Sequence, residues 1–257
     1  MPENDLSLLI DAARAAGKEA LSHVGGDLQV RDKGDGAGPV TKADLAVNAL
    51  LEDRLRRARP DYGWLSEESA DGAERLDAET VFIVDPIDGT RSFIEGSNTW
   101  AHALAVVRNG EVTAAVVYLP ARDKLYSAAL GSGARLNGAP IGVSRTAAIE
   151  EAKVLATRPS LRAEHWPRGV PDLKRSHRPS LAYRLSLVAE GRYDAMFTFR
   201  PSWEWDIAAG TLILNEAGAR ATDKRGGPLR FNNPVPQTNG VLAAGPDLHS
   251  LLLDRLL

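Results

Sequence analysis

The chain has 257 residues, 44% apolar and 25% charged, with 31 Lys+Arg against 34 Asp+Glu for a formal net charge of −3. That length supports one large domain or two closely joined lobes with a core that needs no staples, and a slightly acidic balance makes a poor candidate for a nonspecific nucleic-acid binder, which needs clustered positive charge. Cysteine is absent, which excludes disulfides, thiolate nucleophiles, Cys-ligated zinc and iron–sulfur clusters and fits a reducing cytoplasm.

Leu6, Leu9, Ile10, Ala13, Ala16, Ala20 and Leu21 recur at helical spacing, so an amphipathic helix is expected over about 5–24. The opening residues lack a basic stretch followed by an apolar one, and no run reaches the roughly 18–20 apolar residues that a membrane span needs. A cytoplasmic protein is the expectation, with no membrane and no nucleic-acid polymer as partner. Residues 30–39 are rich in Gly and charge and read as a loop. Thr41, with Asp44 three positions on, reads as the capping box of a second helix that stops at Pro60.

The period then changes. Trp64-Leu65 and Val81 to Val84 are short apolar runs followed by acidic residues, as buried strands that deliver carboxylates at their ends. Residues 99–119 read as a hairpin about Asn109-Gly110, and Asn137-Gly138 marks another turn of the same antiparallel meander. The first two helices are available to cover one face of that sheet. Beyond about 150, strands at 154–156, 193–198 and 219–222 alternate with helices at 181–190, 206–217 and 246–257, the pattern of an α/β layer. The stretch 158–178 has no clear period and reads as loop.

Four acidic sites stand out: Asp44, the Glu67-Glu68 pair, the Asp85-Pro86-Ile87-Asp88-Gly89-Thr90 stretch, and Asp206 after Trp203-Glu204-Trp205. Carboxylates crowded at strand ends repel unless a cation neutralises them. A hard divalent ion such as Mg²⁺ selects such oxygen ligands, and several carboxylates from separate segments suit a multi-metal hydrolytic site. Gly89 would let backbone approach a ligand, and a helix starting there would aim N–H groups at a phosphate. Ordinary roles exist for each motif: a solvated Asp-x-x-Asp-Gly turn, an exposed Glu pair, N-caps at Asp44 and Asp206, core packing for Trp203 and Trp205. Residue spacing leaves the metal site and these roles both open. The five His show no His-Glu-x-x-His pattern, and neither a Gly-x-Ser-x-Gly elbow nor a Walker-type Gly-Lys-[Ser/Thr] occurs.

The Asp85–Thr90 stretch, Trp205-Asp206-Ile207-Ala208-Ala209-Gly210, Val40-Thr41-Lys42-Ala43-Asp44 and Ser66-Glu67-Glu68-Ser69 together resemble, in order and over nearly the whole chain, the signatures of the inositol monophosphatase superfamily. That resemblance implies a lithium-sensitive, Mg²⁺-dependent phosphomonoesterase with an αβαβα five-layer sandwich, here in two lobes, 1–148 and 149–257. It implies two or three Mg²⁺ ions held by Glu67, Asp85, the Ile87 carbonyl, Asp88 and Asp206. Asp44 and Thr90 would orient and deprotonate the attacking water, assisted by Glu67, while the Gly89 and Thr90 amides grip phosphate. Lys33 matches a loop lysine near the site, and superfamily members are often dimers, so a homodimer is possible.

For substrate, the chain looks most similar to CysQ-type 3′(2′),5′-bisphosphate nucleotidases, through Val116 to Pro120, Leu125 to Ala128 and Leu187 to Gly191. Arg184 falls where that group carries a Lys that would meet a second phosphate. Seven residues before Asp206, where inositol monophosphatases usually carry a Glu, stands Phe199, with Arg200 beside it; an aromatic and a cation suit a base and a phosphate. Arg91 follows Thr90 as in histidinol-phosphatase-like members. Lys33, Asp88, Gly89, Thr90, Arg91, Arg184, Arg200 and Asp206 are the expected substrate-binding residues. The expected substrate is 3′-phosphoadenosine 5′-phosphate, with inositol 1-phosphate or histidinol phosphate as the alternative and a non-catalytic phosphate-binding protein as the remaining one.

Overall fold

A computed structural model describes residues 2–34, 36 and 38–257. Helix α1 (Pro2–Ser22) and the strand pair β1 (Arg31–Asp32) and β2 (Pro39–Val40) lead into α2 (Lys42–Ala58). The Thr41–Asp44 capping box is present, with the Thr41 side chain accepting from the Asp44 amide and the Asp44 carboxylate accepting from the Thr41 amide. Next come β3 (Gly63–Ser66), β4 (Thr80–Asp88), the short helix α3 (Thr90–Ile94), β5 (Ala101–Arg108), β6 (Glu111–Leu119), β7 (Lys124–Ala129), β8 (Ala134–Leu136) and β9 (Ala139–Pro140). Strands β3 to β9 form a seven-stranded sheet in chain order, antiparallel except for the β3–β4 pair. Asn109-Gly110 and Asn137-Gly138 both take positive φ, the backbone that a two-residue hairpin turn requires.

The remaining chain supplies β10 (Lys153–Leu155), β11 (Lys174–Ser176), α4 (Leu181–Ala189), β12 (Ala195–Thr198), β13 (Ser202–Trp203), α5 (Glu204–Glu216), β14 (Arg220–Thr222), β15 (Gln237–Thr238), β16 (Val241–Ala244) and α6 (Pro246–Leu256). A second sheet of five strands has the order β11-β10-β12-β16-β14. The region read as loop contains β11 as its edge. Three residues of Lys-Arg-Ser carry no apolar alternation, so no periodic signal marks them as a strand.

Period-two alternation sorts the side chains into layers. On β4, Phe82 and Val84 join a cluster with Leu9, Ala13 and Ala16 of α1 and Val47, Leu51 and Leu55 of α2. Val81 and Ile83 point the other way, into a cluster shared with α4, α5 and Met196, Val241 and Ala243 of the second sheet. The outer face of that sheet packs Val154, Phe197 and Leu242 against Leu248 and Leu252 of α6. The layers are therefore helix, sheet, helix, sheet, helix, the αβαβα sandwich that the resemblance implied. No helix among the described residues is long and apolar enough to cross a membrane.

Candidate active site

The acidic centre depends on an irregularity in β4. Residues three apart on a regular strand face opposite sides, which would separate Asp85 from Asp88. Here Asp85 pairs with Ala103 and Asp88 with Ala101, so Pro86 and Ile87 together oppose the single residue His102. This bulge resets the alternation. Both aspartates then lie on the face of Val81 and Ile83, towards α5, while the Ile87 side chain enters the opposite cluster. The strand therefore runs on through its carboxylates rather than ending before them, and all nine of its residues are buried. Asp206 arrives from α5. That helix begins at Glu204 with Trp203 as N-cap, so Asp206 is its third residue rather than its cap.

Asp85, Asp88 and Asp206 each offer a carboxylate oxygen, and these lie within 4.8 Å of one another. Both oxygens of Asp85 are buried with no hydrogen-bond partner. Burial first, then the facing carboxylates of Glu67, Asp88 and Asp206, push Asp85 well above the usual carboxylate range. Asp206 is raised well above that range by burial, with Asp88 and Glu67 adding to it and Arg200 opposing. Asp88 is raised by burial to about 6 despite donors from the Ser180 hydroxyl at 2.6 Å and the Ala182 amide at 2.7 Å. Orphaned carboxylate oxygens converging on one point are the donor set of a hard divalent cation, so the residues fit Mg²⁺.

Asp44 is buried beside this centre, its second oxygen held by Thr41 and its first accepting from the Thr90 hydroxyl at 3.1 Å. That hydroxyl also lies 3.2 Å from the Ile87 carbonyl. Gly89 makes the turn between β4 and α3 at φ +101°, a conformation that strains any side chain. Asp44, Thr90 and the Ile87 carbonyl are thus joined in one buried chain of hydrogen bonds.

Glu67 stands outside the close triad. Its carboxylate accepts from Lys33 at 2.8 Å, and Lys33 also donates to Glu68 at 2.6 Å. Burial works against the Lys33 ammonium, yet the two glutamates outweigh it and hold Lys33 above its ordinary range; burial in turn raises Glu68 to about 7. Arg91 is exposed on α3 near Gly38. Arg184 is buried on α4, donating to the Arg178 and Pro179 carbonyls and, at 2.8 Å, to His177 Nε2. Its charge lies near Asp88, Arg200 and Asp206, which leaves a cation pair at the rim of the acidic centre.

Phe199 corrects the sequence reading. It is 5% exposed, stacked on Phe197 at 5.2 Å and edge-on to Trp166. Phe199, one residue past β12, joins Phe197 in the cluster with Leu248 and Leu252 of α6 and offers no free face to a base. Ser180, which holds Asp88 and caps α4, was missed; its place directly before a helical run was the available signal. A cavity of about 550 Å³ lined by Asn48, Tyr62, Trp64 and Glu68 includes none of the triad, so carboxylate chemistry locates the site better than cavity size.

The model of the inositol monophosphatase family matches residues 1–256. An inositol-1-monophosphatase of Rhizobium meliloti (strain 1021) is 36% identical over 249 residues, covering 90% of each chain. The Nus factor SuhB of Escherichia coli (strain K12) is 33% identical over 265 residues, covering 98% of this chain and 95% of that protein. Among solved structures, the IMPase of Thermotoga maritima superposes with a TM-score of 0.84 at 29% identity, covering 100% of this chain and 97% of that one. With its layers, its buried carboxylates and these likenesses in agreement, the chain belongs to the inositol monophosphatase family and is a Mg²⁺-dependent phosphatase.

Proposed function

We propose that the enzyme hydrolyses a small phosphomonoester that carries a second anionic group, with 3′-phosphoadenosine 5′-phosphate, giving AMP and phosphate, as the first candidate. The observation that supports this reading is Arg184. Its Nε and one Nη are committed to the 177–179 segment, whereas the other Nη has no hydrogen bond among the described residues. A buried guanidinium held on one side, with Arg200 beside it, suits a second phosphate or carboxylate. Inositol 1-phosphate is the second reading, and the names of the relatives favour it.

In this reading Asp85, Asp88, Asp206, the Ile87 carbonyl and Glu67 hold two or three Mg²⁺ ions. When bound, Mg²⁺ neutralises charge on the phosphoryl group and acidifies the attacking water. Thr90 orients that water, its hydroxyl proton directed to Asp44, and Asp44 draws the proton off through Thr90. The Gly89 and Thr90 amides hold the phosphate, and Lys33 steadies Glu67 and Glu68. In-line attack forms the P–O bond to water as the ester P–O bond breaks, the departing ester oxygen takes a proton from solvent water, and no covalent intermediate with the protein is needed.

Phosphate release measured on 3′-phosphoadenosine 5′-phosphate, inositol 1-phosphate and histidinol phosphate, with and without Mg²⁺, tests the proposal. The nucleotide is expected to be preferred. Arg184→Gln is expected to raise its KM by roughly 10- to 100-fold, the value of a charge-assisted hydrogen bond from the one free Nη, with inositol 1-phosphate turnover little changed. A clear preference for inositol 1-phosphate overturns the nucleotide reading and leaves the metal chemistry standing.

A further inference from the structure

The bulge in β4 that turns both Asp85 and Asp88 towards α5 has its own lock, in a residue that no motif includes. A bulge leaves part of the ladder unpaired, and here the two residues opposite His102 are Pro86, which has no amide hydrogen, and Ile87. His102 is fully buried. It lies in a strand otherwise made of Ala, Val and Leu, down to Arg108 at its end. Its ring packs edge-on to Trp100 at 5.5 Å and lies 6.4 Å from Tyr118. Nδ1 meets the Pro86 carbonyl, while Nε2 is buried with no partner.

A carbonyl only accepts, so the hydrogen resides on Nδ1 and the bare Nε2 lone pair faces the apolar layer. An apolar residue in this position would bury no bare ring nitrogen but would strand the Pro86 carbonyl instead. The unpaired nitrogen is tolerated for the sake of the one bond that the other nitrogen makes. That bond fixes the plane of the Pro86–Ile87 peptide. Asp85 precedes the plane; the Ile87 carbonyl and Asp88 follow it.

We propose that His102 is a positioning residue for the metal centre: its Nδ1–H holds the Pro86 carbonyl, and through it the bulge that places the Asp85 and Asp88 carboxylates and the Ile87 carbonyl around a common point. The inference rests on the metal-centre reading above. It concerns ligand geometry, so it reaches the cation before it reaches the organic part of the substrate.

The test is calorimetric titration of Mg²⁺ into the wild-type protein and into His102→Leu and His102→Asn, with steady-state kinetics alongside. Leu fills the space and donates nothing; the Asn side-chain amide places a donor close to where Nδ1 sits. Partners one step behind a metal ligand typically contribute 10- to 100-fold to metal affinity. His102→Leu is therefore expected to weaken Mg²⁺ binding by about that factor and to lower kcat, with substrate KM at saturating Mg²⁺ within about twofold of wild type. His102→Asn is expected to recover most of the Mg²⁺ affinity.

Equal Mg²⁺ affinity in wild type and the Leu variant overturns the inference alone. Absence of Mg²⁺ binding in the wild type overturns the metal-centre reading beneath it. Nitrogen-15 NMR of the wild type decides the matter even where the Leu variant does not fold. A neutral imidazole protonated at Nδ1 supports the lock, and the Nε2-protonated tautomer removes it.

Discussion

Asp85→Asn is expected to lower kcat by about 10³-fold, the upper range for deleting one preorganised electrostatic group, and at the same time to raise the melting temperature of the metal-free protein. Both oxygens of Asp85 are buried without partners, facing Glu67, Asp88, Asp206 and Asp44. Replacing that carboxylate by a neutral amide removes a proposed cation ligand and also removes repulsion within the metal-free cluster. The two effects have opposite signs, and a misfolded variant cannot show both. Phosphate-release assays paired with calorimetric melting in chelator check them; near-normal turnover would remove Asp85 from the metal centre.

The gain in melting temperature conferred by Mg²⁺ should grow with pH, from little near pH 4 to roughly 5–10 °C at pH 7.5 and Mg²⁺ about 100-fold above its Kd. Burial is the main cause raising Asp85, Asp88 and Asp206, with Asp88 reaching about 6. Between the ordinary carboxylate range near 4 and these raised values, the folded metal-free protein holds protons that the unfolded chain has released. Its stability from these groups is therefore fully present below about pH 4 and falls as pH rises through about 6 and beyond. With the proposed ligand set, magnesium would take up the carboxylates where protons leave them. His102 and His249 are lowered by burial to about 4 and impose the opposite slope on the whole protein. The difference between melts with Mg²⁺ and with chelator isolates the carboxylates, and a difference flat in pH would contradict this account.

Much of the local structure is written in neighbouring residues. The Thr41–Asp44 cap and the Asn109-Gly110 and Asn137-Gly138 turns need only a few positions each, and the structure contains all three. The acidic motifs were legible as candidates because each follows a short apolar run or opens a helix. What those runs do to the carboxylates was not. A strict alternation would have sent Asp85 and Asp88 to opposite faces, and the pairing with Ala103 and Ala101 that reverses this is a property of β5, not of the motif. Phe199 was misread for a similar reason: its face is set by register with Phe197 and by the helix covering that side.

The sequence alone determined the helices, the hairpins, the absence of cysteine chemistry and the carboxyl-bearing segments, because periodicity, turn geometry and side-chain type act over a few residues. Tertiary structure alone decided that Asp206 meets Asp85 and Asp88 across more than a hundred residues, that Ser180 holds Asp88, and that His102 faces Pro86. Those meetings depend on sheet order and on a bulge in the strand register, which arise from packing between distant layers and leave no local pattern in the chain.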